Sequence, residues 1–414
     1  MENTEYKLFS NVLHIEDPFV ISNIVVNDGK KQVDIYVGFV ENPEFTCPDC
    51  GSKTTQVHDV REKVWRHLNL FEYRCYVHCR TPRIFCPKCK KTQDIKIPWV
   101  RKGSGFSLLM ESVLICLSKM LPVSSIGYFL GETDNRVFRV ISHYVSIACK
   151  KKDLSHVRNI GIDETSVAKG HKYITTVSDL DSGEIIFVTP GKEADTLSAF
   201  QEYLVHHHGK DENIENICCD MSKSFISGIA AVFPNATQTF DKFHVMMGVN
   251  KAVDIVRKAE AASLPTRTLI KTKYLFLKNP ENLTKDQRTR LDDILLSHKY
   301  LKTVEAYNMK LNFKDFWKCE SRFIGEGYLK DWCNWVSSSR LKPMKEFVET
   351  VRKHWNGILN YFSSRITNGK IEALNGQIQK LKREARGYRN IGNFRNAILL
   401  RYGNLEFDIP LLTL

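Results

Sequence analysis

Three acidic residues far apart in the chain each have the local setting that a metal-dependent phosphoryl-transfer site requires. They are Asp163 in N-I-G-I-D-E-T, Asp220 in I-C-C-D-M-S-K-S and Glu372 in T-N-G-K-I-E-A-L-N-G-Q. The first two end or follow apolar strand-like runs, and the third falls on a helical pattern. Carboxylate oxygens are the hard ligands that Mg²⁺ or Mn²⁺ takes, and two such ions stabilise both the attacking and the leaving oxygen of a phosphodiester exchange. Within Asp163-Glu164, strand alternation sends the two side chains to opposite faces. Ile160 and Ile162 go to the core, so Asp163 shares the other face with Gly161. Asp220 closes the all-apolar run Ile217-Cys218-Cys219, typical of a central strand, and sites collect at the carboxyl ends of such strands.

Glu372 gains most from helical geometry. At about 100° per residue, Ile371, Leu374, Ile378, Leu381 and Ala385 fill one arc, and Glu372, Asn375, Gln379, Lys382, Arg383 and Arg386 fill the next. One stripe packs; the other presents a carboxylate, two amides and then cations. Between Gln377 and Arg401 seven basic residues stand against Glu384 alone, in a chain of 414 residues with formal charge +13 and pI near 9.1. This imbalance favours an anionic partner, and makes Lys380, Lys382, Arg383 and Arg386 candidate contacts to a DNA backbone.

A second chemistry lies near the start. Cys47-Pro-Asp-Cys50 and Cys86-Pro-Lys-Cys89 are two knuckles whose four sulfurs can close a tetrahedron on Zn²⁺, a site that stabilises a small fold and does no chemistry. The long gap between them leaves Cys75, His78 and Cys79 open as further ligands, although a buried structural role suits all three. The remaining cysteines lie inside apolar runs, as in a reducing compartment with one metal site. No basic and apolar leader opens the chain, and no apolar run reaches the roughly 18 residues of a membrane span, so a cytoplasmic protein with no membrane partner is expected. His206-His207-His208 falls at a helix end before Gly209, and a solvated terminus accounts for it.

The elements that must position these residues are legible in outline. Residues 18–40 alternate around Asn27-Asp28-Gly29 as a β-hairpin, which opens a β module that contains the knuckles. From about Ser107 to Lys152 the period is helical, with a break at Pro122, a short helix that Ser124 can cap, a turn at Gly131 and a third helix after Thr133. Val137, Val140, Ile141, Tyr144 and Ala148 form the inner side of that last helix, and Asn135, Arg136, Arg139 and His143 face outward. This reads as a helix-turn-helix whose last helix can enter a major groove. From Asn159 the period changes to two. Strands at 160–165, 172–179 and 184–188 lead to a helix at 194–206, a strand at 214–219, a helix at 222–233 and a strand at 236–240. Three antiparallel strands followed by strand-helix alternation is the order of the RNase H-like fold. The interval from about 245 to 362, with Trp317, Trp332, Trp335 and Trp355, reads as an all-helical insertion with a tryptophan-rich core.

The expected architecture is therefore multidomain α+β. A zinc-binding β module covers residues 1–100, a helix-turn-helix covers 101–152, and an RNase H-like α/β catalytic core with its helical insertion covers 153–414. The motifs G-I-D-E-T, C-C-D-M-S-K-S-F, F-D-K-F-H-V and T-N-G-K-I-E-A-L-N-G-Q-I-Q-K-L-K-R-E-A-R-G-Y resemble the ISL-three family of bacterial insertion-sequence transposases, which use a DDE catalytic triad. The resemblance extends to an N-terminal zinc finger and helix-turn-helix in the same order. It implies that Asp163, Asp220 and Glu372 are the triad and hold Mg²⁺ or Mn²⁺, and that Asp241 and His244 lie near the site in a structural or DNA-positioning role. It also implies double-stranded DNA partners, namely the element's terminal inverted repeats and a target, and a homodimer that brings two ends together. The residues leave room for a silent DNA-binding regulator derived from a transposase, or for a nuclease on the same fold. Retention of all three acids argues against the regulator.

Overall fold

The computed structural model describes residues 4–168, 172–191, 195–264, 268–364 and 369–409; within these, the side chains of residues 4, 5, 12, 168, 172 and 369–372 lie outside the description. The chain divides into two units. One runs to Lys150 and takes up the chain again from Leu405; the other is Lys151–Asn404.

In the first unit, helix α1 (Thr4–Leu13) precedes the hairpin β1 (Phe19–Asn27) and β2 (Gln32–Phe39), closed at Asn27↔Gln32 as the Asn-Asp-Gly turn predicts. A two-stranded ribbon, β3 (Phe45–Thr46) and β4 (Lys53–Thr54), carries the first knuckle. Strands β5 (Val57–Arg66), β6 (Arg74–Cys86) and β7 (Lys91–Asp94) complete the module, with β6 parallel to β2 and antiparallel to β5 and β7. Alternation along β6 turns Cys75, Val77 and Cys79 into the core beside Val33, Ile35 and Val37. Burial pushes the Cys75 and Cys79 thiols up to about 12, so both stay protonated. His78 lies on the opposite face, stacked on Tyr36 and 2.7 Å from Asp34 Oδ1 through Nε2. None of the three belongs to the cluster of knuckle sulfurs described below.

Three helices follow: α2 (Leu108–Met120), α3 (Val123–Leu130) and α4 (Asp134–Lys151). Ser107 caps α2 by accepting from the Met110 N–H. Helix α3 begins at Val123 behind Pro122, one residue ahead of the expected cap Ser124, and no side chain caps it. Gly131 ends α3 with φ +67°, and a Cβ there would fall 2.3 Å from the Arg74 guanidinium. The buried side of α4 contains the expected Val137, Val140, Ile141, Tyr144 and Ala148, and Val145 and Cys149 besides.

One buried carboxylate organises this unit. Glu111 receives Arg101 Nε and Nη2 at 2.9 Å each, the Ser104 hydroxyl at 2.6 Å and the Tyr144 hydroxyl at 2.8 Å. It thereby ties residues 101–104 to α2 and α4. Removing one partner of a buried ion pair strands the other, so Glu111→Ala should cost the first unit roughly 3 kcal/mol. Chemical denaturation of the variant measures this, and a loss below about 1 kcal/mol, the scale of an exposed pair, would contradict it.

The second unit opens with the antiparallel strands β8 (Asn159–Ala168), β9 (Lys172–Asp179) and β10 (Ile185–Pro190). Helix α5 (Asp195–His206) then leads to β11 (Asn216–Cys219), α6 (Lys223–Val232) and β12 (Thr237–Phe240). Residue 194, the expected start of α5, lies outside the described residues. The sheet order is β10-β9-β8-β11-β12, with β11 parallel to both β8 and β12. Of the three histidines ending α5, His207 is buried and stacked on Tyr203 at 3.9 Å, so this terminus is solvated only in part.

Next come α7 (Lys242–Ser263), α8 (Lys273–Leu277), α9 (Lys285–Ser297), α10 (Lys302–Phe316), α11 (Arg322–Ser338), α12 (Lys342–Lys353), α13 (Trp355–Leu359) and α14 (Tyr361–Ser364), with no strand among the described residues. Their shared core is aromatic: Phe313 meets Trp332 at 4.7 Å and Phe347 edge-on at 5.3 Å, and Trp332 Nε1 donates to the Met309 carbonyl at 2.9 Å. Trp317 is also buried, whereas Trp335 is 42% exposed, so the tryptophans fill this core only in part. Helices α15 (Gly369–Glu384) and α16 (Ile391–Tyr402) then return to the sheet, α15 against β8 and α16 against β10. Among the described residues no helix is long and apolar enough to cross a membrane.

Candidate active site and metal centre

Strand register brings the acidic residues together. Gly161 on β8 pairs with Cys218 on β11, and Cys219 pairs with Phe240 on β12. Carried forward by two residues and by one, the same registers set Asp220 beside Asp163 and Asp241 beside Asp220. By that continuation positions 163, 220 and 241 line up across adjacent parallel strands, just past the paired ends of β11 and β12. The Asp241 N–H donates to the Cys219 carbonyl at 2.9 Å, which continues the ladder into the row.

Each carboxylate is oriented by local bonds. Asp163 Oδ1 accepts the Glu164 N–H at 2.7 Å, and Asp220 Oδ1 accepts the Ser222 N–H at 2.9 Å. Asp241 caps α7: Oδ1 accepts from the Phe243 N–H at 2.6 Å, and Oδ2 lies 2.9 Å from His244 Nδ1. Burial pushes the Asp163 carboxyl above its ordinary range, against the pull of the Glu164 N–H, His244 and Asn375. The His244 imidazole is raised, first by its bond to Asp241 and then by the charges of Asp163 and Asp220. Carboxylate oxygens are hard donors of the type a divalent Mg²⁺ or Mn²⁺ takes.

Position 372 lies in α15, one turn before Asn375, and the Glu372 side chain lies outside the described residues. The helix itself is fixed at β8: Asn375 Nδ2 donates to Asp163 Oδ2, and Lys382 Nζ donates to the Ser166 carbonyl at 2.6 Å. Ile378 and Leu381 are buried, as the apolar arc predicted. Helical spacing puts Asn375 in the polar arc but names no partner for it. The placement of Asp241 in the row could have been read from its position directly after a strand-like run.

The basic residues divide by surroundings. Arg383 and Arg386 are exposed; Lys380 is exposed and 3.9 Å from Glu384, which also pairs with Arg401 at 3.1 Å. Lys382 is half-buried at the β8 tie. On α4, Asn135 and Arg139 are exposed and His143 is half-buried against Tyr144. Arg136 is held inward: Nη1 donates to Glu132 Oε2 at 2.5 Å, Nη2 to the Gly105 carbonyl at 3.1 Å, and the guanidinium lies 4.1 Å from the Phe106 ring centroid. Glu132 four residues before Arg136 was the available signal.

The four knuckle cysteines, Cys47, Cys50, Cys86 and Cys89, bring their sulfurs within 4.8 Å of one another, and among the described residues this is the one such cluster of three or more ligating side chains. Cys47 and Cys89 Sγ are 3.9 Å apart, and Cys50 and Cys86 are 3.6 Å apart. Zn–S bonds of about 2.3 Å in a tetrahedron require sulfur separations of about 3.8 Å, so the donors fit zinc. The Ser52 hydroxyl pulls the Cys86 thiol down to about 6, while the bond to Cys50 pushes the Cys89 thiol up to about 12, so the metal-free sulfurs share charge unevenly. Both knuckles close with a left-handed residue, Gly51 at φ 71° and Lys90 at φ 54°, which turns the chain back after the second sulfur.

Comparison with known proteins covers both regions of the chain. A family model described as transposase matches residues 160–398, a span containing the aspartate row and α15, and a model described as the zinc-finger of transposase IS204/IS1001/IS1096/IS1165 matches residues 43–89, from the first knuckle to the last cysteine. The transposase for insertion sequence element IS1001 of Bordetella parapertussis is 26% identical over 350 residues, covering 83% of this chain and 85% of that protein. The transposase for insertion sequence element IS1557 of Mycobacterium tuberculosis is 24% identical over 372 residues, covering 83% and 82%. With more than half of its length matched by the family model and its cysteine cluster matched by the family's zinc ribbon, the chain belongs to the ISL3 (ISL-three) family of transposases.

Proposed function

We propose that the chain cuts and joins DNA strands at the ends of an insertion sequence, with Asp163, Asp220 and Glu372 as the residues that hold two Mg²⁺ or Mn²⁺ ions. The observation that carries this is the parallel pairing of β8 with β11, which runs to Gly161↔Cys218 and whose continuation by two residues leads to Asp163 and Asp220, together with the tie between Asp163 and the helix that bears position 372. The three-strand meander followed by two parallel strands supports an RNase H-like core within residues 153–414, and α7–α14 make its helical insertion.

Bound there, the ions would supply Lewis-acid activation of the attacking oxygen and neutralise charge on the scissile phosphate. The chain's own contribution is positional. The backbone N–H groups of Glu164 and Ser222 aim the two aspartates, Asp241 and His244 hold the floor of the site, and the fixed donors need no rearrangement as charge develops. In the first step water attacks phosphorus, its proton goes to solvent, and the element's 3′ oxygen leaves as a hydroxyl. In the second that hydroxyl loses its proton to solvent and attacks a target phosphate, whose P–O3′ bond breaks so that the target's 3′ oxygen leaves and takes a proton from solvent. Supplying a pre-cut end with target DNA and Mg²⁺ tests this. Covalent joined product is expected, while hydrolysis without joining would reduce the reading to a nuclease, and end binding with neither would reduce it to a regulator.

End recognition is assigned to residues 101–152, with the zinc module of residues 1–100 assisting, on double-stranded DNA, by a homodimer that pairs two ends in the cell interior. Within α4, exposed Asn135 and Arg139 are the freest to reach DNA, with His143 beside them, whereas Arg136 supports the turn. On α15, Lys380 and Arg383, and in the left-handed turn just past its end Arg386, are assigned as backbone contacts. Arg139→Ala should reduce the slope of log binding constant against log salt by about one, the mark of one lost phosphate contact. Arg136→Ala should instead lower the stability of the first unit. Salt titrations by fluorescence anisotropy decide between them, and an unchanged slope for Arg139→Ala would remove that contact.

A further inference from the structure

The meeting of Asn375 and Asp163 has a geometry that goes beyond simple packing. Asn375 and Lys382 are seven residues apart on α15, about 10.5 Å along the helix, and their partners Asp163 and Ser166 are three residues apart on β8, about 10 Å along the strand. The two rises match, so the helix lies along β8 on two polar ties, with buried Ile378 and Leu381 packed between them. One tie ends on a main-chain carbonyl. The other ends on a carboxylate of the acidic row.

The chemistry of the two ties differs in the way a metal site would require. A lysine on Asp163 would supply its own countercharge and compete with a cation. A neutral amide holds the carboxylate in place and leaves its charge uncompensated. Asp163 receives one donor on each oxygen, Glu164 N–H on Oδ1 and Asn375 on Oδ2, so each oxygen keeps an accepting direction for an ion. Asn375 is also one turn after Glu372, and residues three apart share a helix face.

We infer that Asn375 is a positioning residue: its amide docks α15 on Asp163 and so sets where the Glu372 backbone stands relative to the two aspartates. This rests on the proposed triad, and its test separates the two. Hydrogen exchange of amides 376–384 is followed in the full chain without divalent ions or DNA, for wild type, Asn375→Ala and Asn375→Asp. Exchange in α15 should rise at least tenfold in Asn375→Ala while the sheet amides keep their protection. Asn375→Asp keeps the side-chain shape but sets two carboxylates against each other, so α15 should exchange rapidly without metal and regain protection when Mn²⁺ is added. The Mg²⁺ concentration for half-maximal cleavage should rise about tenfold in Asn375→Ala with end binding unchanged. Unaltered α15 exchange in both variants would overturn the inference, as would an Asn375→Asp protein whose exchange ignores Mn²⁺. Should Asn375→Ala fail to fold, the Asp variant carries the test alone. Failure of the triad reading is visible elsewhere, as cleavage that survives loss of the Asp220 charge, and leaves the exchange result standing.

Discussion

Asp220→Asn should abolish strand cleavage, by at least about a thousandfold, while DNA-end binding stays within about twofold of wild type. The substitution keeps the size of the side chain and an oxygen to accept the Ser222 N–H, so the turn from β11 into α6 has no reason to move. What it removes is one negative charge from the row of Asp163, Asp220 and Asp241. A divalent ion's contribution at phosphorus is several kcal/mol, and each 1.36 kcal/mol is tenfold in rate, which sets the scale of the loss. Gel analysis of cleavage on DNA that carries an element end measures the first part, and anisotropy on the same DNA measures the second. Cleavage within tenfold of wild type would mean that Asp220 does not hold the reacting ions.

The second large effect concerns the zinc ribbon. Cys86→Ser, or stripping the metal with a strong chelator, should unfold the knuckles and the edge of the β module that they close. Structural zinc contributes on the order of 10–16 kcal/mol of apparent binding energy in small finger domains, comparable to the entire 5–15 kcal/mol stability of an ordinary domain. The sheet β1-β2-β6-β5 has its own core around Ile35, Val77 and Trp65, so the loss should begin at β3, β4 and β7. Metal analysis should return one zinc per wild-type chain. Proteolysis should then cut the Cys86→Ser protein between residues 43 and 94 before the rest. A metal-free chain with undiminished protease resistance there would show that the sulfurs do not need zinc.

Much of this was legible in the sequence because single signals were strong. Asn27-Asp28-Gly29 set the hairpin, Gly131 set the end of α3, and the apolar run before Asp220 announced a central strand, all of which the structure contains. The zinc ligands were readable from the paired spacing alone, whereas the exclusion of Cys75, His78 and Cys79 depended on which face of β6 looks inward. Period-two alternation of Cys75, Val77 and Cys79 carried that information, but only the pairing with β2 turns it toward the core. The inward hold on Arg136 and the tie from Asn375 to Asp163 were harder. Both are contacts between segments remote in sequence or folded back by a turn, and helix periodicity assigns a face without naming what packs on it. For the same reason Glu372 could be set on a helix from its pattern, while its approach to the aspartates depends on how α15 lies along β8.

The most direct measurement is the position of bound Mn²⁺, located by its anomalous scattering in crystals of the chain with a pre-cut DNA end. Ion density is expected within coordination distance, about 2.2 Å, of the carboxylate oxygens of Asp163, Asp220 and Glu372, beside the terminal phosphate. Manganese bound elsewhere, with DNA in place and those three side chains too far apart to share it, would contradict the assignment of this site to strand breakage and rejoining.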